Sequence, residues 1–539
     1  MELPNVRYAD GIHKYKQIRF DGLNHNLGAQ DGELFDMQNM TSDYYPLLAS
    51  RSARYLYMKL GNPGGIFSWK KLCWVDNGQF YYDGVVKGAV LPGEKTFSAM
   101  GSNIMIMPDK CFYNVDTDTF GSMEVTWTGV MLRFCDGKLF DEDAKANCIQ
   151  ADGVNWENYF RVGDAVFISG CTKVTGNNKS DIIRAIDGDK LYFYEYAFDL
   201  ENGNGYEETG VMSISRTVPD MKFLCEINNR IWGCTDDSIY CCKLDDIFNW
   251  NIYDGLDSDA WAITPTAPGK FTGCRAYGGY PIFYKEDHFY KIYGSVPSSF
   301  TPIGSATLGL AEGSDGSLAV AGETLFYLSM NGIVAYTGGV PQSVGEAFGL
   351  QRFKNAVAGS DGLKYYVSMQ DSTGTWWLYV YDTQKGVWHK EDQTHVTHFA
   401  RVDGNLYFLN DSGEIWIIPS GGELPKEAVR EEAVQWAAEF ADFTGNDPNK
   451  KAAGKIQIRL ELEEGATAQV WMQFDSDGKW ERTGQEMGTG VKRSYYLPIV
   501  PRRCDHYKLK ITGSGECRIY SISREVAPGS ELKSKFGRN

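Results

Sequence analysis

His389, His395 and His398 lie close together, with Glu391 and Asp392 between them. Imidazoles and carboxylates bind transition metals, and two that face one another could hold one. A metal site also needs a complete and oriented ligand set, so a loop running into a strand is the simpler reading. Paired carboxylates are the other chemistry to look for, since retaining glycosidases place two of them about 5 Å apart. Asp475-Ser476-Asp477-Gly478 brings two together, but such turns are expected in any hairpin-rich chain. No Gly-x-x-x-x-Gly-Lys, Gly-x-Gly-x-x-Gly or Gly-x-Ser-x-Gly stands at a strand-to-helix junction. The expectation is therefore no enzyme: no catalytic residue, no cofactor and no metal. Arg502, Arg503 and His506 form a local basic cluster, and Lys492-Arg493 another. A solvated sheet face is their simpler explanation, and an inter-subunit contact with an acidic neighbour is the functional one.

The elements that would position these residues are hairpins. Asn405-Leu406-Tyr407-Phe408-Leu409 turns at Asn410-Asp411-Ser412-Gly413 into Glu414-Ile415-Trp416-Ile417-Ile418. Two apolar, aromatic and β-branched runs around a polar turn read as a β-hairpin. Similar units begin near residues 72, 104, 231, 282, 325, 365 and 406. A period of about 40–50 residues with several strands per repeat predicts a β-propeller. The gap from 104 to 231 is too long, and setting aside residues 125–215, which lack the signature, brings it into line. Tyr381-Asp382 followed by Trp388 resembles the end of a kelch blade, but neither the full kelch pattern nor the WD40 signature repeats.

Four regions follow. Residues 1–60 are an N-terminal latch for the ring, with Asp31 read as the N-cap of a short helix. Residues 61–124 and 216–423 are the propeller. Residues 125–215 are an inserted small β-barrel, with Gly176–Ser180 as a flexible tip. Residues 424–539 are a β-sandwich, jelly-roll-like, ending in a short mobile tail. The expected fold class is thus all-β: a seven-bladed β-propeller with an inserted small β-barrel and a C-terminal β-sandwich.

Net charge is −17, and residues 60–453 alone hold 31 basic against 52 acidic side chains. A surface that negative will not grip phosphates broadly, though it could border a passage through which a polyanion slides. No apolar run is long enough to span a bilayer as a helix, and the first residues lack the core of a signal peptide. The twelve cysteines include no Cys-x-x-Cys pair. Cys73, Cys111, Cys234, Cys241 and Cys242 read as buried small hydrophobes in a reducing compartment.

Gly22-Leu23-Asn24, the acidic run from Asp31 to Asn39, Tyr45-Pro46 and the spaced Arg51 and Arg54 resemble the start of tail proteins from Firmicutes-type prophages. Leu497 to His506, with Gly513 to Cys517 and Ile519 to Ile522, is similar to their C-terminal region. The resemblance extends to the propeller proteins that close the tails of short-tailed phages, the tail-nozzle or packaged-DNA-stabilisation type. It implies a structural component of a bacteriophage virion, assembled in the host cytoplasm as a tail ring. The ring would be a hexamer that meets portal-adaptor or other tail proteins and retains packaged DNA without binding it specifically. The alternatives are a receptor- or glycan-binding tail module, with Trp471 or Trp480 stacking on sugar, and a propeller glycosidase.

Overall fold

Runs such as Leu406 to Leu409 are apolar at every position, so they need cover on both faces. In the computed structural model they have it. Asn405–Asn410 is buried at its first five positions and Thr324–Ser329 at its last five. The structure describes residues 11–26, 28–30, 32–139, 147–194, 196–201, 203, 205–444, 450–488, 490–500 and 502–528. These are almost entirely strands and turns, and their helices are short 3-10 turns.

Two units make up the chain. The unit of residues 61–315 holds four antiparallel four-stranded sheets and one closed barrel. Sheet 1 runs from Pro63–Trp69 through Val85–Ala89, and sheet 2 from Thr96–Met100 through Thr119–Ser122. Sheet 3 runs from Phe223–Ile227 through Trp261–Ile263, and sheet 4 from Gly273–Tyr277 through Thr301–Ala306. In each, strands pair in chain order. Outside the barrel, every hairpin read from the sequence in this unit is the inner pair of strands of one such sheet.

Consecutive sheets share cores. Cys73, Val75 and Phe80 of sheet 1 pack with Ile104, Ile106 and Tyr113 of sheet 2. Met105 and Phe112 of sheet 2 pack with Ile231 of sheet 3 and the following Trp250. Trp232 and Cys241 of sheet 3 meet Phe283 and Tyr290 of sheet 4. This serial, face-to-face stacking of four-stranded sheets is propeller-like.

The barrel interrupts the chain between sheets 2 and 3. Its six strands close in the order Val125–Asp136, Asn147–Gln150, Lys190–Phe193, Ser180–Asp187, Ala165–Ser169 and Tyr206–Arg216. Its core holds Phe134, Trp156, Val166, Ile183, Phe193 and Ile214. The tip expected to be flexible at Gly176–Ser180 is tied to the barrel by the side chains of Asn177 and Asn178. Asn177 is 1% exposed, and its side-chain amide donates to Asp199 O (3.0 Å) and to the Tyr206 hydroxyl (2.9 Å). Asn178 pins Cys171 on both its N–H and its carbonyl. Small polar residues signalled mobility, but here they satisfy buried backbone groups.

The other unit contains residues up to 60 and from 316. Sheet 5 runs from Ala319–Ala321 through Gln342–Ser343, and sheet 6 from Phe353–Ser360 through Val387–Lys390. Sheet 7 begins with Val396–Val402, Asn405–Asn410 and Glu414–Ile418. Its fourth strand is Tyr55–Lys59, paired antiparallel to Glu414–Ile418, and Val429–Arg430 adds a fifth. Tyr366 and Val380 of sheet 6 share a core with Leu406 of sheet 7.

Two larger sheets complete this unit. One has the order Leu34–Gln38, Gln435–Phe440, Tyr507–Ser514, Thr467–Phe474, Glu481–Met487. The other centres on Cys517–Pro528 and Lys451–Leu462, with Gly490–Leu497 on one side and Leu48–Ser50 and Met40–Thr41 on the other. His13–Gln17 also pairs with Cys517–Pro528. N-terminal residues are therefore woven into the C-terminal sheets as well as into sheet 7. The helix expected after Asp31 is corrected to a strand, Leu34–Gln38, because Gln435–Phe440 offers it a ladder. Asp31 itself lies outside the described residues, as does the tail from 529.

Candidate functional site

The densest buried chemistry is where the N-terminal segment enters sheet 7. Arg51 and Arg54 lie between Leu48–Ser50 and Tyr55–Lys59, and each is 5% exposed. Glu391, 6% exposed, follows the last strand of sheet 6, and Asp392 follows it. Glu431 comes from the charged stretch after sheet 7. A buried guanidinium is tolerated only when paired and hydrogen-bonded.

Both arginines meet that requirement. Arg51 grips Glu431 through two parallel contacts, Nη1 to Oε2 at 2.7 Å and Nη2 to Oε1 at 2.9 Å. Its Nε donates to Asn39 Oδ1 (2.8 Å), and Nη2 reaches Asp392 Oδ2 at 3.3 Å. Arg54 donates to Glu391 Oε2, lies 3.0 Å from Asp392 Oδ2, and donates to Thr394 Oγ1 at 3.1 Å. Its guanidinium sits 5.4 Å from the Phe408 ring centroid. Bidentate, charge-assisted contacts of this kind are the strong ones.

Burial alone would push the Asp392 carboxyl up, but Arg54 and Arg51 outweigh it and bring it down to about 2. Burial likewise opposes ionisation of Glu431, and the hydrogen bond and charge of Arg51 leave it below the usual range. Burial disfavours the Arg54 cation, but Asp392 and Glu391 more than reverse that. Arg54, Asp392 and Glu431 stay charged at neutral pH.

A cavity of about 280 Å³ opens beside this cluster. Lys364 pairs with Asp43 across it, and Lys385 lies 3.0 Å from Asp382, whose Oδ2 accepts from Ser42 Oγ (2.6 Å). His389 lines it, is 5% exposed, and its Nδ1 has no hydrogen-bond partner among the described residues. Burial and then Lys364 lower its pKa to about 4, so the imidazole is neutral.

This arrangement holds; it presents no activated nucleophile. The histidine cluster read from the sequence is dispersed. His395 stacks on Trp376 at 3.7 Å and meets Asp411 at 3.2 Å, away from buried His389. Among the described residues no three metal-binding side chains converge. Arg502 pairs with Glu481 at 3.0 Å and lies over Phe474. Arg503 is exposed on the short strand Arg503–Cys504. His506 Nε2 meets Ser476 Oγ at 2.8 Å, with Asp505 and Asp442 nearby. Arg502 and His506 thus each face acids of their own surroundings. Arg493 is exposed, and the Lys492 side chain lies outside those described. Trp471 donates to Thr512 Oγ1 (3.1 Å), Trp480 lies under Lys510, and both are half-buried. Of the cysteines quoted above, Cys111 is partly exposed and the others are buried.

Sequence reasoning named Arg51, Arg54, Glu391 and Asp392 but not their union. The available signal was two arginines just before a strand that has no hairpin partner of its own.

No protein-family model matches the chain, and no curated protein matches it. Among solved structures it is similar to BamB from Moraxella catarrhalis, with 9% identity and a TM-score of 0.33, covering 68% of this chain and 98% of that one. U3-55K is similar at 7% identity and a TM-score of 0.30, with the same coverages of 68% and 98%. A GH43 glycoside hydrolase is similar at 10% identity and a TM-score of 0.19, over 58% of this chain and 97% of that one. Likenesses this distant say nothing about activity. Among the described residues no helix is long and apolar enough to cross a membrane. The chain is all-β, with propeller-like sheets and a closed six-stranded barrel.

Proposed function

We propose that this chain is a structural component of a bacteriophage virion, a tail-ring protein of the nozzle or gate type that helps retain packaged DNA. The observation that carries the reading is the clamp. The most concentrated buried charge in the described chain is spent on fixing an N-terminal strand as the fourth strand of sheet 7. In this reading sheets 1 to 7 are the blades of one propeller, and Tyr55–Lys59 is its latch. The two larger sheets form a β-sandwich, and the protein is not an enzyme. Closed sheets leave few exposed edges and resist deformation, as a gate under load must. The acidic middle of the chain gives DNA no foothold, so it slides past. By resemblance the ring is a hexamer that meets other tail proteins, with Arg502, Arg503 and His506 at contacts between copies.

The test is quantitative mass spectrometry of gradient-purified particles carrying this protein. A fixed number of copies per particle supports the assignment, and absence from intact particles rejects it.

A further inference from the structure

The barrel carries a groove that the clamp does not explain. Its volume is about 510 Å³, within the range of sites that take small ligands. One wall is the outer face of the barrel, where Phe167 stands across from Ser180 on one neighbouring strand and Ser215 on the other. The other wall is the stretch Asn251 to Asp254 that follows the buried Trp250. Two aromatic rings line the groove and remain open to solvent, Phe167 at 45% and Tyr253 at 57% exposure.

The polar lining is one-sided. Asp181 and Asp254 supply carboxylates, Ser180, Ser215 and Thr217 supply hydroxyls, and Asn251 supplies an amide that donates to Thr217. No lysine, arginine or histidine lines it. Burial raises the Asp181 carboxyl pKa against the lowering pull of the Ile182 N–H it accepts (2.8 Å) and of Lys179, and Asp254 adds a smaller rise. An anionic ligand would meet two carboxylates and no cation. A purely apolar ligand would strand these polar groups without partners.

We propose that this groove binds a neutral oligosaccharide. Sugar hydroxyls donate to Asp181 and Asp254 and exchange hydrogen bonds with Ser180, Ser215, Thr217 and Asn251. The apolar faces of the sugar rings lie against Phe167 and Tyr253, as amphipathic ligands do on aromatic side chains. Anionic sugars are excluded by charge. A lone lysine or arginine side chain from a basic peptide would answer the carboxylates but leave the hydroxyl-lined wall and most of the volume unused. The site stands independently of the tail assignment, because it rests on the barrel and the Asn251 to Asp254 stretch and on no residue of the clamp.

The test presents the full chain with neutral trisaccharides, namely maltotriose, cellotriose and N-acetylchitotriose, at millimolar concentration in saturation-transfer NMR. Sialyllactose and a heptalysine peptide serve as contrasts. Tyr253→Ala, Phe167→Ser and Asp254→Asn are compared with the parent, and an unchanged melting temperature excludes misfolding of these exposed positions. The expected result is transfer to at least one neutral trisaccharide, at least tenfold weaker binding in Tyr253→Ala, and none to sialyllactose. Three results would overturn the proposal: no transfer to any of the neutral trisaccharides, transfer undiminished in all three variants, or binding of heptalysine alone.

Discussion

The clamp in sheet 7 and the groove on the barrel use carboxylates in opposite ways. At the clamp, buried Glu391 and partly buried Asp392 and Glu431 face two buried guanidiniums, and each is held by ion pairs and hydrogen bonds. At the groove, Asp181 and Asp254 share an opening with each other, hydroxyls and solvent-facing rings, and no cation lines it. Pairing lowers one set, as Asp392 shows, while burial and mutual repulsion raise Asp181. The lesson is that residue type does not separate support from recognition. Whether the charge has already found its partner inside the chain does.

The largest expected effect comes from breaking the clamp. Arg54→Met leaves Glu391 and Asp392 only the longer contacts of Arg51, at 3.8 and 3.3 Å, and should cost about 3 kcal/mol in urea unfolding. Adding Glu391→Leu and Asp392→Asn should recover much of that loss, because the stranded charge goes with them. If Arg54→Met unfolds like the parent, the cluster is solvated and the contrast with the groove collapses.

Acid probes the same region next. His389 is neutral in the fold with a pKa near 4, against an ordinary value of 6.5. The unfolded chain therefore takes up this proton first. Its contribution is present above pH 6.5 and is lost as pH falls towards 4, a loss of about 3 kcal/mol. Asp392 and Glu431, held low by the arginines, lose their contributions at still lower pH. His389→Gln should remove the upper part of this acid transition in pH-dependent thermal melts and leave the lower part.

Smaller effects belong to the groove. Tyr253→Ala should weaken trisaccharide binding at least tenfold, about 1.4 kcal/mol, and leave stability unchanged. Smallest is Asp181→Asn. A raised carboxyl favours the protonated fold, so its ionisation subtracts stability as pH rises through its folded-state pKa. The amide should leave neutral-pH stability the same or up to about 0.5 kcal/mol higher in calorimetry. A clear loss there would mean that the Ile182 N–H hydrogen bond and Lys179 outweigh burial, and that Asp181 belongs with the clamp.

The inner hairpins were legible because both faces of those strands are covered, as Leu325 to Leu328 and Leu406 to Leu409 show. Outer strands carry a weaker signal. Gln342–Ser343 is exposed along its length, and Glu481–Met487 is mostly polar and passed unread as a strand. The barrel was legible as a stretch lacking the blade signature, and its two longest strands were not read. Val125–Asp136 and Tyr206–Arg216 shift register between Gly129 and Met131, which breaks the alternation a reader relies on. Leu34–Gln38 was misread because a distant partner strand, not local preference, decides its state. The clamp was invisible for a related reason. Arg51 meets Glu431 across 380 residues of sequence, and Arg54 meets Glu391 across 337. The groove needs a barrel face assembled from three separate strands, and a loop at Asn251 to Asp254 beyond them.

Electron cryomicroscopy of the purified full-length chain tests the central claim most directly. The account predicts rings of identical copies, each with seven sheets around one axis and Tyr55–Lys59 seated in the last of them. Particles that stay single, with those sheets in separate stacks and no shared axis, would contradict it.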